Sequence, residues 1–140
     1  MIVIICGGCN LPRFTTAQTA WLDQLRIKLD IQMVLTGGAS GADTWGNEWA
    51  ESRGIDRIIV HAKRNSLMIR LARLAVEYSG NTVIPDVRVI AFPGGCGTVN
   101  ISTQAHQAGV PVIRWEVYAE AWAMGEGEAL MSRTDYGHTY

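Results

Sequence analysis

The sequence predicts an α/β fold: a Rossmann-like, doubly wound parallel sheet of about five strands in the order 3-2-1-4-5. Two observations carry this reading. Short, nearly continuous β-branched runs alternate with longer segments of helical periodicity, as strands linked by crossover helices and covered on both faces should. The glycines also gather directly after the runs instead of scattering, which is where a strand turns into a loop ahead of its helix.

The elements follow in order. Residues 2–6 form an unbroken apolar run that stops at Gly7-Gly8, and they read as the first strand. Residues 17–29 place Trp21, Leu22, Leu25 and Leu29 at helical spacing. Residues 33–36 make a second strand closed by Gly37-Gly38, and residues 43–53 a second helix. A third strand is expected at 57–60, a helix at 66–78, a fourth strand at 87–92, a helix at 99–108 and a fifth strand at 110–114. Residues 1–114 are thus expected to be the sheet domain and residues 115–140 a C-terminal tail. Trp115, Tyr118, Trp122 and Met124 suggest a short helix there, packed on the domain or on a second subunit, before a mobile end.

Composition sets the outer limits. A chain of 140 residues suits one domain and can bury roughly two-thirds of its unfolded surface without staples. With 48% hydrophobic and 18% charged residues it belongs with globular proteins. A formal net charge of -1 supplies no global basic field, which argues against nucleic acid as a partner. The start, Met-Ile-Val-Ile-Ile-Cys-Gly-Gly, lacks a basic leader region, and no apolar stretch is long enough to span a bilayer. Three cysteines make an odd count that does not suit a disulfide framework. A cytoplasmic protein with no membrane partner is expected.

With strand order 3-2-1-4-5, the crevice lies between the first and fourth strands, outside their carboxyl ends. The loops after strands one, two and four converge there, carrying Gly7-Gly8, Gly37-Gly38 with Gly41, and Gly94-Gly95 with Gly97. Such loops let backbone N–H groups approach a phosphate, and a helix starting directly afterwards adds its own unpaired N–H groups and dipole. Tight βα turns are the plainer explanation of any one of them. A Walker A loop is excluded, because no Gly-Lys-Ser/Thr follows the glycines, and the spaced G-x-G-x-x-G fingerprint is missing after the first strand.

Several strings resemble a known group. Ala91-Phe92-Pro93-Gly94-Gly95-Cys96-Gly97-Thr98, followed by Gln104-Ala105 and Ala108-Gly109-Val110-Pro111-Val112, resembles the SLOG superfamily. Thr36-Gly37-Gly38-Ala39-Ser40-Gly41-Ala42-Asp43 with Trp49-Ala50, and Arg64-Asn65 with Met68, resemble its YspA/YpsA-like branch. The superfamily includes the Lonely Guy phosphoribohydrolases, which cleave nucleoside monophosphates, the DNA-processing protein DprA, and domains that sense nucleotide-derived signals. The resemblance implies that Pro93, Gly94, Gly95, Gly97 and Thr98 hold a phosphate and that Arg64 faces the same pocket. In the Lonely Guy enzymes the loop continues to a catalytic glutamate. Here the corresponding end of the motif reads Asn100-Ile101, a departure that removes the catalytic acid.

The candidate ligand residues are therefore Gly7, Gly8, Gly37, Gly38, Ser40, Gly41, Asp43, Arg64, Asn65, Pro93, Gly94, Gly95, Gly97 and Thr98. Arg64 can grip a phosphate with two parallel hydrogen bonds, and Lys63 is a weaker candidate. Asp43 has three open roles: partner of the helix dipole, acceptor of a ribose hydroxyl, or brace of the glycine loop. Asn65 either binds ligand or caps a helix, and Ser40 and Thr98 either offer hydroxyls to a phosphate or cap. Cys6-Gly7-Gly8-Cys9 has C-x-x-C spacing. With Cys96 and His61 or His106 it would make a metal set, but the glycines favour a ligand loop and no metal or cofactor is expected. No residue is assigned a catalytic role.

Three functions compete on this basis. The first is recognition or sequestration of a nucleotide or ADP-ribose-like molecule. The second is a nucleotide N-glycosidase with altered catalytic acids, for which Asp43 is the one carboxylate placed near the loops. The third is single-stranded DNA binding, ranked last on charge. A homo-oligomer, dimeric or higher, is expected from the five tryptophans and the apolar tail.

Overall fold

The computed structural model describes residues 1–60, 87–94 and 96–137, the side chains of 96–100 excepted. Its strands are β1 (Ile2–Cys6), β2 (Met33–Thr36), β3 (Asp56–Ile59), β4 (Val87–Ala91) and β5 (Val112–Arg114). Its helices are α1 (Thr16–Leu29), α2 (Ala42–Ser52), α3 (Cys96–Gln107), α4 (Trp115–Ala123) and α5 (Gly127–Ser132). All strand pairs are parallel and the order is β3-β2-β1-β4-β5, the Rossmann-like arrangement expected from the sequence. The expected helix at 66–78 lies outside the described residues.

Both faces of the sheet are covered, so side chains on each strand alternate between two cores. Val3, Ile5, Val34, Ile90, Phe92 and Ile113 pack with Trp21, Leu22 and Leu25 of α1 and Trp49 of α2. Ile2, Ile4, Cys6, Leu35, Val89 and Ala91 face the other way, toward Ile101 and Ala105 of α3. The edge strand β3 departs from the expectation of two covered faces, since all four of its residues are exposed. Its Arg57 meets Glu51 of α2 at 3.2 Å instead.

Local chemistry sets the boundaries. Thr15 caps α1 by accepting from the Gln18 N–H at 3.1 Å, while the Gln18 side chain accepts from the Thr15 N–H at 2.9 Å. Asp30 ends α1 in the left-handed region at φ 51, which aspartate tolerates better than most residues. The fifth strand begins at Val112, two residues later than expected. The Val110 N–H still bonds Ala105 of α3, and Pro111 has no donor to give. Helix α3 begins at Cys96, three residues earlier than expected, so Gly97 and Thr98 belong to its first turn and not to the loop before it.

Trp21 ties the C-terminal segment to the sheet. It is fully buried, edge-on to Phe92 at 5.7 Å and stacked on Tyr118 of α4 at 5.6 Å. Its indole N–H donates to the Tyr136 hydroxyl at 3.1 Å, and burial pushes the Tyr136 pKa up to about 12. Buried Arg88 of β4 donates to the Gly137 carbonyl, and Lys28 donates to that of Arg133 at 2.6 Å. Val117, Trp122 and Met124 remain exposed on the outer surface of this segment.

A polar clasp joins α1 to α2. Asp23 accepts from Arg53 Nε and Nη2 at 2.8 and 3.0 Å and from Trp49 Nε1 at 2.9 Å. These donors hold the Asp23 carboxyl below its ordinary pKa, with the Arg53 hydrogen bonds contributing most. A depressed carboxylate stabilises the fold above its unfolded pKa and loses that contribution as pH falls through the folded value. Asp23→Asn should therefore cost about 1 kcal/mol or less at neutral pH, screened because the pair is partly exposed. The gap to the parent should close below about pH 4. Denaturant titrations across pH check this, and a gap that widens in acid would contradict it.

Candidate functional site

The three loops at the carboxyl edge meet around the backbone of one residue, Gly8. The Gly8 N–H donates to the Pro93 carbonyl at 3.0 Å, which joins the first loop to the fourth-strand loop. The Gly8 carbonyl accepts from Ala42 and Leu11, each at 3.2 Å, which joins it to the start of α2. The Ser40 hydroxyl donates to the Cys9 carbonyl at 3.0 Å, adding a second tie between the first and second loops.

This contact requires residues without side chains. A Cβ at Gly7 would stand 2.6 Å from Ala42 Cβ and 2.9 Å from Phe92 Cβ. One at Gly41 would overlap the Gly8 carbonyl oxygen, and φ there is +75. Gly94 has φ +108 and lies with its Cβ position 3.1 Å from Gly8 Cα. The glycines thus serve loop-to-loop packing in the first place, at the carboxyl edge of β1, β2 and β4.

Asp43 braces the second loop. Its carboxylate accepts from the Ala39 N–H at 3.2 Å, and the Gly37 N–H acts on the same carboxylate. Burial raises the Asp43 pKa, and the two backbone donors oppose that rise. Thr44 completes the brace by donating its hydroxyl to the Ala39 carbonyl at 2.9 Å. Of the three roles open to Asp43 in the sequence, bracing the loop is the one these bonds perform.

The structure brings together Gly7, Gly8, Gly37, Gly38, Ser40, Gly41, Asp43, Pro93 and Gly94. Gly97 and Thr98 follow in the first turn of α3. Lys63, Arg64, Asn65 and Gly95 lie outside the described residues. Sequence reasoning singled out no residue of β5, yet the register aligns Cys6, Ala91 and Arg114 across β1, β4 and β5 at this same edge. The signal was a cation closing an apolar strand, which becomes informative only once the strand order is known.

The C-x-x-C spacing does not make a matched pair of thiols. Cys6 is buried and Cys9 exposed, and both are free. Burial pushes the Cys6 pKa up to about 12, with the Asp43 charge adding to the rise and the Arg114 charge opposing it. Among the described residues no cluster of His, Cys, Asp or Glu is arranged to hold a metal ion.

A doubly wound parallel sheet with laced glycine loops at its switch point defines a Rossmann-like α/β protein. Comparison with known families places the N-terminal part more closely. Residues 1–66 match the model of the YspA, cpYpsA-related SLOG family, called YAcAr. The matched span covers β1 to β3 with the first and second glycine loops, and it bears out the SLOG resemblance over those residues. Neither the curated proteins nor the solved structures contain a match to the chain.

Two measurements test this account of the loops. Gly41→Ala should lower stability on the order of 3 kcal/mol, from left-handed strain plus overlap with the Gly8 peptide. Gly54→Ala, at φ +67 with open space around it, should cost only about 1 kcal/mol. Equal losses in urea denaturation would show that loop packing adds nothing. Separately, brief alkylation of the native protein at pH 8 should label Cys9 and spare Cys6. A pKa near 12 leaves about a thousandfold less thiolate than an ordinary cysteine carries. Peptide mapping with equal labelling of both would remove the distinction.

Proposed function

We propose that this protein binds a nucleotide or ADP-ribose-like molecule across the crevice between β1 and β4, and that it holds the molecule without turning it over. The observation that carries the reading is the joining of three glycine loops through the Gly8 peptide, directly ahead of α2 and α3. A floor stripped of side chains, with helix N-termini on both sides, suits close approach of a phosphate to backbone N–H groups. The SLOG match over residues 1–66 supports nucleotide-related binding or processing as the general class.

Two findings favour retention over cleavage. Ile101 is fully buried in the core between α3 and the sheet, so its position offers no catalytic carboxylate. The Asp43 carboxylate is engaged by the backbone of its own loop, which commits it to structure. The compartment we assign is the cytoplasm, consistent with the finding that no described helix is long and apolar enough to cross a membrane. The exposed Val117, Trp122 and Met124 support self-association through the C-terminal segment.

Near-equimolar protein incubated with nucleoside monophosphates, NAD, ADP-ribose and cyclic nucleotides should retain one class on ultrafiltration. Mass spectrometry after heat release should recover that compound intact. Release of free base and sugar phosphate would instead establish an N-glycosidase. A panel neither retained nor changed would overturn the nucleotide reading.

A further inference from the structure

The end of β5 carries a cation whose placement the glycine loops do not explain. The ladder pairs Cys6 with Ala91 and Ala91 with Arg114, so the three residues form one row across β1, β4 and β5. Partners in parallel strands point to the same face. Cys6 and Ala91 belong to the core on the α3 side, and Ile113, the neighbour of Arg114, belongs to the opposite core. Arg114 therefore lies on the α3 side, at the carboxyl edge, one strand from the crevice. The residue between it and Cys6 is an alanine, which leaves only a methyl group in the way.

Arg114 is partly buried. No hydrogen bond or ion pair engages its guanidinium among the described residues. Arginines removed from water are normally paired, since desolvation of an unmatched charge is costly. The charge is felt at the crevice, where it acts on the Cys6 thiol against that of Asp43. The edge is thus polarised along the sheet, negative toward α2 and positive toward β5. The first turn of α3 follows the β4 loop at the same edge, and its helix dipole adds to the positive end.

We infer that Arg114 is an anion-binding residue, and that it holds the phosphoryl end of the ligand on the β4–β5 side of the crevice. This rests on the proposed nucleotide function and adds an orientation to it. The phosphoryl group meets Arg114 and the Gly94 loop, and the uncharged nucleoside end extends toward α2, where Asp43 repels a second anion. A guanidinium suits the task because it grips a phosphate with two parallel hydrogen bonds, which a lysine cannot reproduce.

The test uses inorganic pyrophosphate as the probe and the full chain labelled with nitrogen-15. Titration should saturably shift the Arg114 Nε–Hε resonance, which is assigned by its absence from Arg114→Lys. Affinity for pyrophosphate should fall about tenfold to a hundredfold in Arg114→Gln, with partial recovery in Arg114→Lys. Thermal melts of both variants identify any loss that comes from unfolding, and the resonance shift in the parent protein needs no variant to fold. An unmoved Arg114 resonance, or unchanged affinity in folded Arg114→Gln, overturns the inference. Nucleotide retention that is indifferent to Arg114 leaves the proposed function standing without it. Pyrophosphate binding at Arg114 with no nucleotide retained leaves an anion site and removes the nucleotide function.

Discussion

The backbone N–H and carbonyl of Gly8 hold three loops in place. Its N–H reaches Pro93 after β4, and its carbonyl accepts from Ala42 at the start of α2 and from Leu11 in its own loop. A buried peptide must be paired, and here the pairing is made between loops that are distant in sequence. Gly7, Gly41 and Gly94 lack side chains at the contacts this requires. The start of α2 and the chain at Pro93 are both tied to the first loop by that junction. Its rigidity is also what a pre-formed ligand floor needs, because ordering loops at the moment of binding would cost affinity.

The junction does not stand alone. Phe92, the last residue before Pro93, is stacked on Phe14 at 4.4 Å and held edge-on by Trp21. Trp21 in turn touches Trp115 and Tyr118, and it bonds Tyr136 near the end of the chain. The C-terminal segment is thereby linked to the loop that would meet a phosphate through a short chain of aromatic rings. Such rings contribute both buried area and preferred geometry, so their arrangement fixes the approach of Pro93 and Gly94 to Gly8.

Charge is distributed sparingly around the edge. Asp43 is spent on its own loop, while Cys6 sits protonated between Asp43 and Arg114. Ile101, at the end of the motif, is packed into the core between α3 and the sheet.

The alternation of elements and the clustering of glycines after strands were legible from residue patterns, because apolar periodicity and missing side chains are local properties. The strand order 3-2-1-4-5 was the usual one for that alternation, and the fold has it. Helix and strand ends were less legible: α3 begins at Cys96 and β5 at Val112, and the β5 start depends on the bond that Val110 keeps to α3. The role of Asp43 stayed open in the sequence, since a first-turn aspartate can face solvent, ligand or its own loop. Only the fold showed it accepting from the Ala39 N–H of its own loop. Arg114 was invisible as anything but the end of a strand. The sequence by itself determined which local structures form and that their glycine loops share one side of the sheet. Tertiary structure alone decided which backbone groups those loops spend on each other and which cation lies beside them. The physical reason is that hydrogen bonds and charges act across gaps of a few ångströms, between residues that the chain separates by tens of positions.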